Sequence, residues 1–380
     1  MRYRLLKNTD VKLSQLGFGT MRLPILHNNE KLIDKESASE LLQYAIDHGV
    51  NYYDTAWNYH LKASESFLGE FLHETGQREK VYVATKLPCW ECREYADFDR
   101  LLDQQLENLK TDYIDFYLLH ALDSYRFNKI HELGVADFMD KAKASGKVRY
   151  MGFSFHDDYE AFRPILDAYP FDFAQIQYNY MDDDFQAGDR GLRDIADKGI
   201  SSVIMEPLRG GQIVKKPVGK LKEIWDSFHT DLTPAALALK YVLNREEVTT
   251  LLSGMGTMEE VVENIRICSE YGVGSLTEKE MDMIRVLRDY YRNETRVDCT
   301  ACNYCNDCPE GIPISRIFTF YNEAHIYGDA ANMREKYKKN VKNKHKANQC
   351  VECGQCEEAC PQNLPIREDL KKAHSFLMDS

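Results

Sequence analysis

Short apolar segments rich in β-branched and aromatic residues alternate with amphipathic segments along roughly the first 270 residues of the chain. The short segments are typical of strands, whereas apolar residues three and four positions apart are typical of helices. In residues 37–49, for example, Leu41, Leu42 and Ala45 follow the helical spacing. Gly49 can end that helix. The pattern predicts eight strands, at 16–20, 50–54, 81–86, 113–120, 148–154, 173–179, 200–206 and 248–254.

Strands that alternate with helices indicate a parallel sheet, because each parallel connection needs a crossover, usually a helix. Eight such units in about 260 residues predict an α/β fold, a closed (β/α)8 TIM barrel. A doubly wound open sheet is the alternative, but Gly17 and Gly19 lack the third glycine of the dinucleotide-binding fingerprint. We expect the barrel at residues 1–275, a connecting helix at 276–298 and a small domain at 299–380.

Four polar side chains stand at the ends of predicted strands or just after them. Asp54 ends the second strand, and Tyr59 follows five residues later in the loop. Lys86 ends the third strand and His120 ends the fourth. One such residue alone is better explained by a strand-end ion pair or a capped histidine, both of which are common. Four of them on three consecutive strands favour an active site, because the loops after barrel strands build the active sites of TIM-barrel enzymes.

These residue types suit the transfer of a proton to an oxygen atom. A tyrosine hydroxyl has an ordinary pKa near 10, which is too high for an efficient acid at neutral pH. A nearby ammonium lowers that pKa, and a carboxylate holds the ammonium in place. A histidine can donate a second hydrogen bond to a substrate carbonyl. Such a set suits protonation of an oxyanion while a hydride reaches the carbon.

With these motifs the sequence resembles the aldo-keto reductase family. The matching pieces occur in family order, as LGFGTMRL, YDTAWNY, ATKLP, YLLH, MGFS, IQYN and MEPLRGG. The resemblance implies a small-molecule carbonyl substrate, with Tyr59 as general acid and with Lys86 and Asp54 as its tuning pair. It implies His120 as the residue that orients the carbonyl. It also implies that a hairpin within residues 3–16 plugs the base of the barrel.

The resemblance further implies a nicotinamide cofactor, NADH or NADPH, across the barrel mouth. The residues that match positions of cofactor contact, or lie beside one, are Ser154, Gln177, Tyr178, Glu206, Leu208 and Asn264. The family usually has a Lys-Ser pair and a later Arg that grip the 2′-phosphate of NADP. Gly254, Met255 and Glu260 stand at those places. A phosphate would lose two cationic partners and meet an anion, so we expect NADH to be preferred.

The last eighty or so residues follow a different pattern. Of the 11 cysteines in the chain, eight follow residue 298, in the runs CTACNYCNDCP and CVECGQCEEACP. The second run has the bacterial ferredoxin spacing, and the first is one residue shorter before its last cysteine. A four-cysteine zinc site is the alternative, although zinc ribbons use two C-x2-C pairs. The runs predict two [4Fe–4S] clusters in a small ferredoxin-like, α-helical domain, bound by Cys299, Cys302, Cys305, Cys308, Cys350, Cys353, Cys356 and Cys360.

The fourth cysteine of each run is expected to cross over, because in two-cluster ferredoxins it ligates the other cluster. The rule assigns one cluster to Cys299, Cys302, Cys305 and Cys360. It assigns the other to Cys350, Cys353, Cys356 and Cys308. Tails of this kind, in which CPxxIPI and CPQNLPI follow the two runs, resemble those of one bacterial and archaeal branch of the aldo-keto reductases.

A lysine-rich segment, NMREKYKKNVKNKHKAN, separates the two cysteine runs. It has two interpretations, a solvated helix face or a docking patch for an acidic electron carrier such as ferredoxin or flavodoxin. Outside the tail, Cys89 and Cys92 form a lone CxxC after the third strand. That pair is either two free thiols or a redox or metal pair. Cys268 reads as a small buried hydrophobic residue.

Composition narrows the classes of partner. The 380 residues carry a formal net charge of −13, which disfavours a general binder of nucleic acid or of anionic membranes. The first residues carry charges where a signal peptide has an apolar core, and no apolar run approaches membrane-spanning length. We therefore expect a cytoplasmic protein without nucleic-acid or membrane partners. In that compartment thiols stay reduced, so 11 cysteines indicate metal or redox chemistry.

Three functions are compatible with the sequence. The first is a carbonyl-reducing oxidoreductase in which the clusters relay electrons to or from the active site. It needs a mediator, because nicotinamide moves two electrons and a cluster moves one, and no flavin fingerprint is present. The second is an NAD(P)H-dependent carbonyl reductase whose clusters only hold the tail together. The third is a non-enzymatic electron-transfer subunit, which the intact set of four polar residues argues against.

Overall fold

The computed structural model describes residues 1–27 and 29–379. The strands are β1 Tyr3–Leu5, β2 Lys12–Ser14, β3 Leu16–Gly19, β4 Tyr52–Asp54, β5 Tyr82–Leu87, β6 Ile114–Leu122, β7 Val148–Phe155, β8 Phe173–Gln177, β9 Ser201–Met205 and β10 Val248–Gly254. The helices are α1 Lys35–Asp47, α2 Ser64–Glu74, α3 Ala96–Asn108, α4 Ser124–Glu132, α5 Val135–Ala144, α6 Tyr159–Asp167, α7 Gly188–Asp197, α8 Gly219–Ser227, α9 Pro234–Leu243, α10 Met258–Glu270, α11 Glu278–Glu294, α12 Ile314–Ile326, α13 Ala330–Asn340, α14 Gln355–Glu358 and α15 Ile366–Met378.

Strands β3 to β10 form a closed barrel in which every neighbouring pair is parallel and follows sequence order. The ring closes where β10 pairs with β3, at the register Leu251 to Leu16. The predicted TIM barrel is therefore confirmed, and each predicted strand end lies within two residues of the observed one. Because all eight strands run in one direction, their carboxyl ends share one rim.

Local sequence explains the regular elements around the barrel. The side chain of Asp34 caps α1 by accepting a hydrogen bond from the amide of Ser37. The buried residues of that helix include Leu41 and Leu42, on the stripe that the sequence predicted. Strand β5 is buried along almost its whole length, as expected for a parallel strand covered on both faces.

The predicted hairpin is present at the amino-terminal end of the chain. Strands β1 and β2 pair in antiparallel fashion. Leu6 and Leu13 of the hairpin are buried in one apolar cluster with Tyr52 and Phe116, which lie near the amino ends of β4 and β6. The hairpin therefore fills the end of the barrel opposite the rim of carboxyl ends.

The chain divides into two compact units, the first formed by Met1–Pro207 with Ala238–Ser275. The second contains Leu208–Leu237 and the residues from Leu276 onward, and its described residues contain helices but no strand. Its core includes apolar side chains of α12 and α15, among them Ile317 and Leu370. Among the described residues, no helix combines the length and the hydropathy needed to cross a membrane.

Candidate functional site

The four polar residues that the sequence singled out lie together at the rim of the barrel. Asp54 is the last residue of β4, Lys86 lies near the end of β5, and His120 lies near the end of β6. Tyr59 stands in the loop between β4 and α2. All four are buried, with exposed fractions of 2% for Asp54, 9% for Tyr59, 1% for Lys86 and 2% for His120.

The ammonium of Lys86 connects the members of this set. Its Nζ donates hydrogen bonds to Oδ1 of Asp54 at 2.7 Å and to the backbone oxygen of Thr55 at 2.7 Å. It also donates to the hydroxyl oxygen of Tyr59 at 3.3 Å. The ring of His120 lies edge-on to that of Tyr59, with centroids 6.4 Å apart. A single buried cation is therefore shared by a carboxylate and by the candidate proton donor.

Burial dominates the electrostatics of the site. It lowers the pKa of Lys86, and the Asp54 carboxylate offsets part of that shift. It raises the pKa of Asp54, against the opposing effect of Lys86. Burial, together with the positive charges of Lys86 and Arg126, holds the pKa of His120 well below its usual value. His120 is therefore neutral at physiological pH, so its ring offers one N–H donor and one acceptor.

The structure adds neighbours that sequence reasoning missed. The ring of Trp90 lies 5.1 Å from that of His120, and His156 directly follows β7. Burial and the charge of Arg126 lower the pKa of His156 to about 4. His156 carried a usable signal, because extending the predicted fifth strand by one residue, to Phe155, would have placed it directly after the strand end. Trp90 lies in a loop whose conformation no periodicity predicts.

The CxxC pair lies next to Trp90, in and after a short 3-10 turn. Cys89 and Cys92 are both fully buried. Burial raises the pKa of Cys92 to about 12 and raises that of Cys89 as well. Both side chains therefore stay protonated at neutral pH, which is the form least suited to nucleophilic or metal chemistry.

Two of the residues predicted to contact the cofactor carry polar groups on the barrel rim. Oγ of Ser154 accepts a hydrogen bond from the amide of Ala121 at 2.8 Å. Nε2 of Gln177 donates to Oδ2 of Asp182 at 2.9 Å. Asn179, which the sequence analysis did not select, donates to the same carboxylate oxygen at 2.8 Å. Asp182 therefore fixes the orientation of both amides.

Tyr178 faces away from its neighbour Gln177. Its ring is fully buried and stacks on Tyr241 of α9 at a centroid distance of 5.9 Å. Its hydroxyl donates to Oδ1 of Asp189 of α7 at 2.6 Å. The structure thus places Tyr178 in the layer of helices around the barrel.

The remaining predicted cofactor positions follow β9 and β10. The backbone oxygen of Glu206, a residue with φ of 55°, accepts a hydrogen bond from Asn179 at 2.9 Å. Leu208 begins the second unit, and its backbone oxygen accepts from Gly211 at 2.9 Å. Nδ2 of Asn264 donates to Oγ of Ser253 at 3.0 Å.

The amino-terminal end of α10 already holds an anion. Thr257 and Glu260 form a capping box there, and Oε2 of Glu260 accepts from the amide of Gly256 at 2.8 Å. Amides at a helix start are the groups that usually receive a phosphate. Met255 is fully buried, and the side chain of Arg22 lies against Gly254. The carboxylate of Glu260 therefore occupies the backbone donors of Gly256 and Thr257 just before α10.

The loop that carries Tyr59 is suited to a polar ligand. Nε1 of Trp57 and Oδ1 of Asn58 are buried and have no hydrogen-bond partner within residues 1–27 and 29–379. Buried polar atoms are rarely left without partners in native proteins, so such atoms commonly receive water or a ligand. The residues at the rim therefore fit a nicotinamide cofactor and a polar substrate.

The tail cysteines line two separate cavities in the second unit. One is lined by Cys299, Cys302, Cys305 and Cys360, and the other by Cys308, Cys350, Cys353 and Cys356. These are the two sets that the crossed ferredoxin rule assigns. Two separate spaces, each lined by four cysteines, fit two clusters.

The two halves of the tail repeat one backbone conformation. Two residues after the first cysteine of each run, Ala301 and Glu352 have φ angles of 54° and 57°. Three residues after the last cysteine of each run, Gly311 and Asn363 have φ angles of 62° and 52°. Each half then begins a helix, α12 or α15, and Ile314 at the start of α12 lines both cavities. The two cysteine runs therefore share one local backbone conformation, as two copies of one binding motif would.

Zinc fits these sites less well than clusters do. Zinc thiolates converge on one ion, whereas each cysteine of a [4Fe–4S] cluster binds its own iron. Across the described ranges 1–27 and 29–379, no group of three or more His, Cys, Asp or Glu side chains is placed to hold a metal ion. Each set of four cysteines lines one space, and the spacing of the runs is that of cluster ligands.

The two cavities differ in charge, because Glu310 and Arg367 line only one of them. Arg367, the second residue of α15, lines the cavity of Cys308, Cys350, Cys353 and Cys356 and pairs with Glu357 at 2.7 Å. The corresponding second residue of α12 is Ser315, which lines the other cavity and donates to Asn303 at 2.5 Å. Only one of the duplicated sites therefore has a guanidinium at this position.

The segment that begins the second unit is bonded to the first cysteine run. Nε2 of Gln212 donates a hydrogen bond to the backbone oxygen of Cys299. Arg209, which is almost fully buried, pairs with Asp298 at 2.8 Å. Two side chains of the MEPLRGGQ segment therefore hold the chain at the start of that run.

Comparison with known proteins agrees with this geometry. The sequence model of the aldo/keto reductase family matches residues 15–289, and that of a 4Fe-4S dicluster domain matches residues 298–365. L-galactose dehydrogenase of Arabidopsis thaliana is 24% identical, covering 77% of this chain and 96% of its own. NADH-specific methylglyoxal reductase of Escherichia coli is 26% identical, covering 68% of this chain and 91% of its own.

Solved structures show the same relationship. An aldo-keto reductase from Bacillus halodurans in its holo form is 25% identical to this chain, with a TM-score of 0.63. The match covers 76% of this chain and 96% of that protein. The family model alone matches well over half of the chain. The protein therefore belongs to the aldo/keto reductase family of oxidoreductases, and it carries a 4Fe-4S dicluster domain after its barrel domain.

Proposed function

We propose that the protein reduces the carbonyl group of a small molecule to an alcohol, with Tyr59 as the proton donor. The observation that carries this proposal is the position of the Lys86 ammonium, which is hydrogen-bonded to both Asp54 and Tyr59. A cation beside the tyrosine stabilises the phenolate that remains after the proton has left. In a buried site this stabilisation is stronger than in water, because the surrounding dielectric is low.

Each residue of the set has a defined task in this reaction. The neutral ring of His120 donates a hydrogen bond that orients the carbonyl oxygen. Tyr59 gives its proton to that oxygen while the carbon accepts a hydride, and Tyr59 later regains a proton from solvent. Lys86, held by Asp54, compensates the charge on Tyr59 in the interval. Bound NADH or NADPH supplies the hydride, that is, two electrons and one hydrogen.

We further propose that NADH is preferred over NADPH. Glu260 places a carboxylate on the amides at the start of α10, where a 2′-phosphate would need positive charge. Gly254 and Met255 carry no charge of their own, and the side chain of Arg22, a cation, lies against Gly254. One relative with this domain is named as an NADH-specific reductase, which supports the same preference here.

The tail is proposed to hold two [4Fe–4S] clusters with the crossed ligation described above, and these groups supply one-electron transfer when bound. We favour a relay of electrons over a purely structural role. The relay requires a bound mediator, such as a flavin, that collects single electrons from the clusters and delivers them in pairs, because nicotinamide moves two electrons and a cluster moves one. The supporting observation is that Cys353, which lines one of the two cavities, is exposed, so that an external electron carrier can approach the bound group. In a two-cluster relay the external donor would be an acidic one-electron carrier, ferredoxin or flavodoxin.

Replacing Tyr59 with Phe tests the assignment of the proton donor. The variant keeps the ring and loses the hydroxyl, so the rate of carbonyl reduction with NADH should fall by about 10²- to 10⁴-fold. Binding of NADH and the iron content should stay at wild-type values. Tyr125→Phe, at a side chain that is 78% exposed, is the matched control. A Tyr59→Phe enzyme with wild-type turnover over a panel of aldehydes and ketones would exclude this role.

A further inference from the structure

The cavity of Cys308, Cys350, Cys353 and Cys356 reaches the protein surface. Of the eight tail cysteines, all of which lie in the described part of the chain, Cys353 alone is exposed. Val351 lines the same cavity and is 60% exposed. An exposed thiolate ligand with an apolar residue beside it is a place where a second redox centre can come close to the bound group.

A strongly basic segment lies beside this cavity. Residues 336–346 contain six lysines and no carboxylate, in a chain whose net charge is −13. The side chains of Lys338, Lys339, Lys342 and Lys344 are exposed. None of these four forms an ion pair with any other residue in ranges 1–27 and 29–379. Their charge is therefore available to a partner, unlike that of Arg367 and Lys371, which pair with Glu357 and Glu352.

Two hydrogen bonds fasten the lysine segment to the cavity wall. The ring of His345 is bonded through Nδ1 to the backbone oxygen of Glu310 at 2.7 Å, and Glu310 lines the cavity. The amide of Cys350 donates to the backbone oxygen of Ala347 at 3.2 Å. Lys344 is six residues from Cys350, so its Cα lies within about 20 Å of that ligand even for a fully extended chain.

We infer that this surface, formed by Val351, Cys353 and the four exposed lysines, docks an acidic protein that carries a one-electron redox centre. Opposite charge steers the partner to the surface and orients it, and the apolar contact at Val351 excludes water between the two centres. In the transfer the partner's centre loses one electron, and the group held by Cys353 and its three companion cysteines gains it. The inference rests on the proposed function only in requiring a redox group in this cavity.

Charge reversal tests the surface. In the holoprotein, Lys338, Lys339, Lys342 and Lys344 are changed together to Glu, and binding of an oxidised, acidic two-cluster ferredoxin is measured between low and high salt. We expect affinity at low salt to fall by about tenfold or more and the salt dependence to flatten. The matched control changes Lys7, Lys12, Lys80 and Lys110 to Glu, four exposed lysines of the barrel unit, with an identical change of net charge.

A second substitution separates contact from charge. Val351→Asp should weaken ferredoxin binding and slow bleaching of the cluster absorption by reduced ferredoxin, whereas Val273→Asp, at a barrel-unit valine that is 57% exposed, should change neither. The inference would be overturned if the test and control variants lost affinity for ferredoxin equally, or if the test variants bound ferredoxin as the wild type does. It would also be overturned if the wild type bound heparin as tightly as ferredoxin. Binding is measured with oxidised ferredoxin and without turnover. The result therefore does not depend on whether Tyr59 is the proton donor.

Discussion

The ammonium of Lys86 lies 2.7 Å from Oδ1 of Asp54, and both side chains are almost completely buried. Burial alone would favour the neutral form of each group, so the charged pair depends on this short contact. The contact also holds the ammonium within hydrogen-bond distance of Tyr59. One ion pair therefore links the stability of the barrel rim to the chemistry proposed for it.

Asp54→Asn should destabilise the protein and slow the enzyme together. Removing one partner of a buried pair leaves an uncompensated charge, which typically costs about 3–5 kcal/mol. Because Lys86 can lose its proton in response, we expect a loss near the lower figure, measured as the free energy of unfolding in urea. Asp103→Asn, which breaks an exposed pair with Lys147, should change that free energy by less than about 1 kcal/mol. An Asp54→Asn protein as stable as the control would contradict the account of the pair.

His156 should make stability depend on pH. Its pKa is lowered to about 4 by burial, whereas in the unfolded chain a histidine has a pKa of about 6.5. Between these values the unfolded state binds more protons, so the contribution of His156 is complete above pH 6.5 and is lost as the pH falls toward 4. Relative to His156→Gln, the wild type should lose roughly 2 kcal/mol of unfolding free energy between pH 7 and pH 5.

Comparing the wild type with the variant at each pH removes the effect of acid on the iron–sulfur clusters, since it is common to both. His131→Gln, at an exposed histidine of α4, should reproduce the pH dependence of the wild type. If His156→Gln also reproduced it, the low pKa assigned to His156 would be wrong.

Glu260→Gln should weaken the preference for NADH. Glutamine preserves the capping box of α10 and removes the negative charge that faces a 2′-phosphate. We expect the ratio of the NADPH to the NADH dissociation constant to fall by about fivefold, equivalent to about 1 kcal/mol. Glu280→Gln makes the same change in the capping box of α11 and should leave the ratio unchanged. Wild-type protein that bound NADPH ten times more tightly than NADH would already contradict the proposal.

Arg367→Gln should lower one of two reduction potentials. Reduction adds negative charge to a cluster, and a guanidinium in the cavity wall stabilises it. In a redox titration followed by electron paramagnetic resonance, the midpoint of one cluster should therefore become more negative while the other stays in place. Lys371→Gln removes a cation of the same helix that pairs with Glu352 outside the cavity lining, and it should move neither midpoint. Equal shifts of both midpoints would show that Arg367 does not distinguish the sites.

Sequence periodicity predicted the barrel well, because parallel strands buried on both faces appear in the sequence as short apolar runs. For β10, both the first and the last residue were predicted correctly. Asp54, Lys86 and His120 were recognisable because each interrupts or ends such a run. The cysteine sets were separable because cluster ligands lie at fixed spacings.

Contacts between residues that are distant in sequence, made by loops or by side chains outside any motif, left no such signal in the sequence. Trp90 meets His120 from the short 3-10 turn after β5, and Gln212 meets Cys299 across more than eighty residues of sequence. The direction of Tyr178 depends on α7 and α9 packing around it, which a strand pattern does not encode. Tertiary packing, and not local preference, decided each of these positions.

An anaerobic assay with reduced ferredoxin as the sole reductant tests the central claim most directly. The holoprotein, shown to contain about eight irons per chain, is given oxidised NAD⁺ and an aldehyde or ketone, and alcohol and cluster absorption are followed together. The account predicts one alcohol for every two electrons consumed, because a carbonyl takes up two electrons and two protons, and it predicts loss of the product in Tyr59→Phe. The relay would be contradicted if ferredoxin reduced the clusters but alcohol formed only after NADH was added. The clusters would then have a structural role.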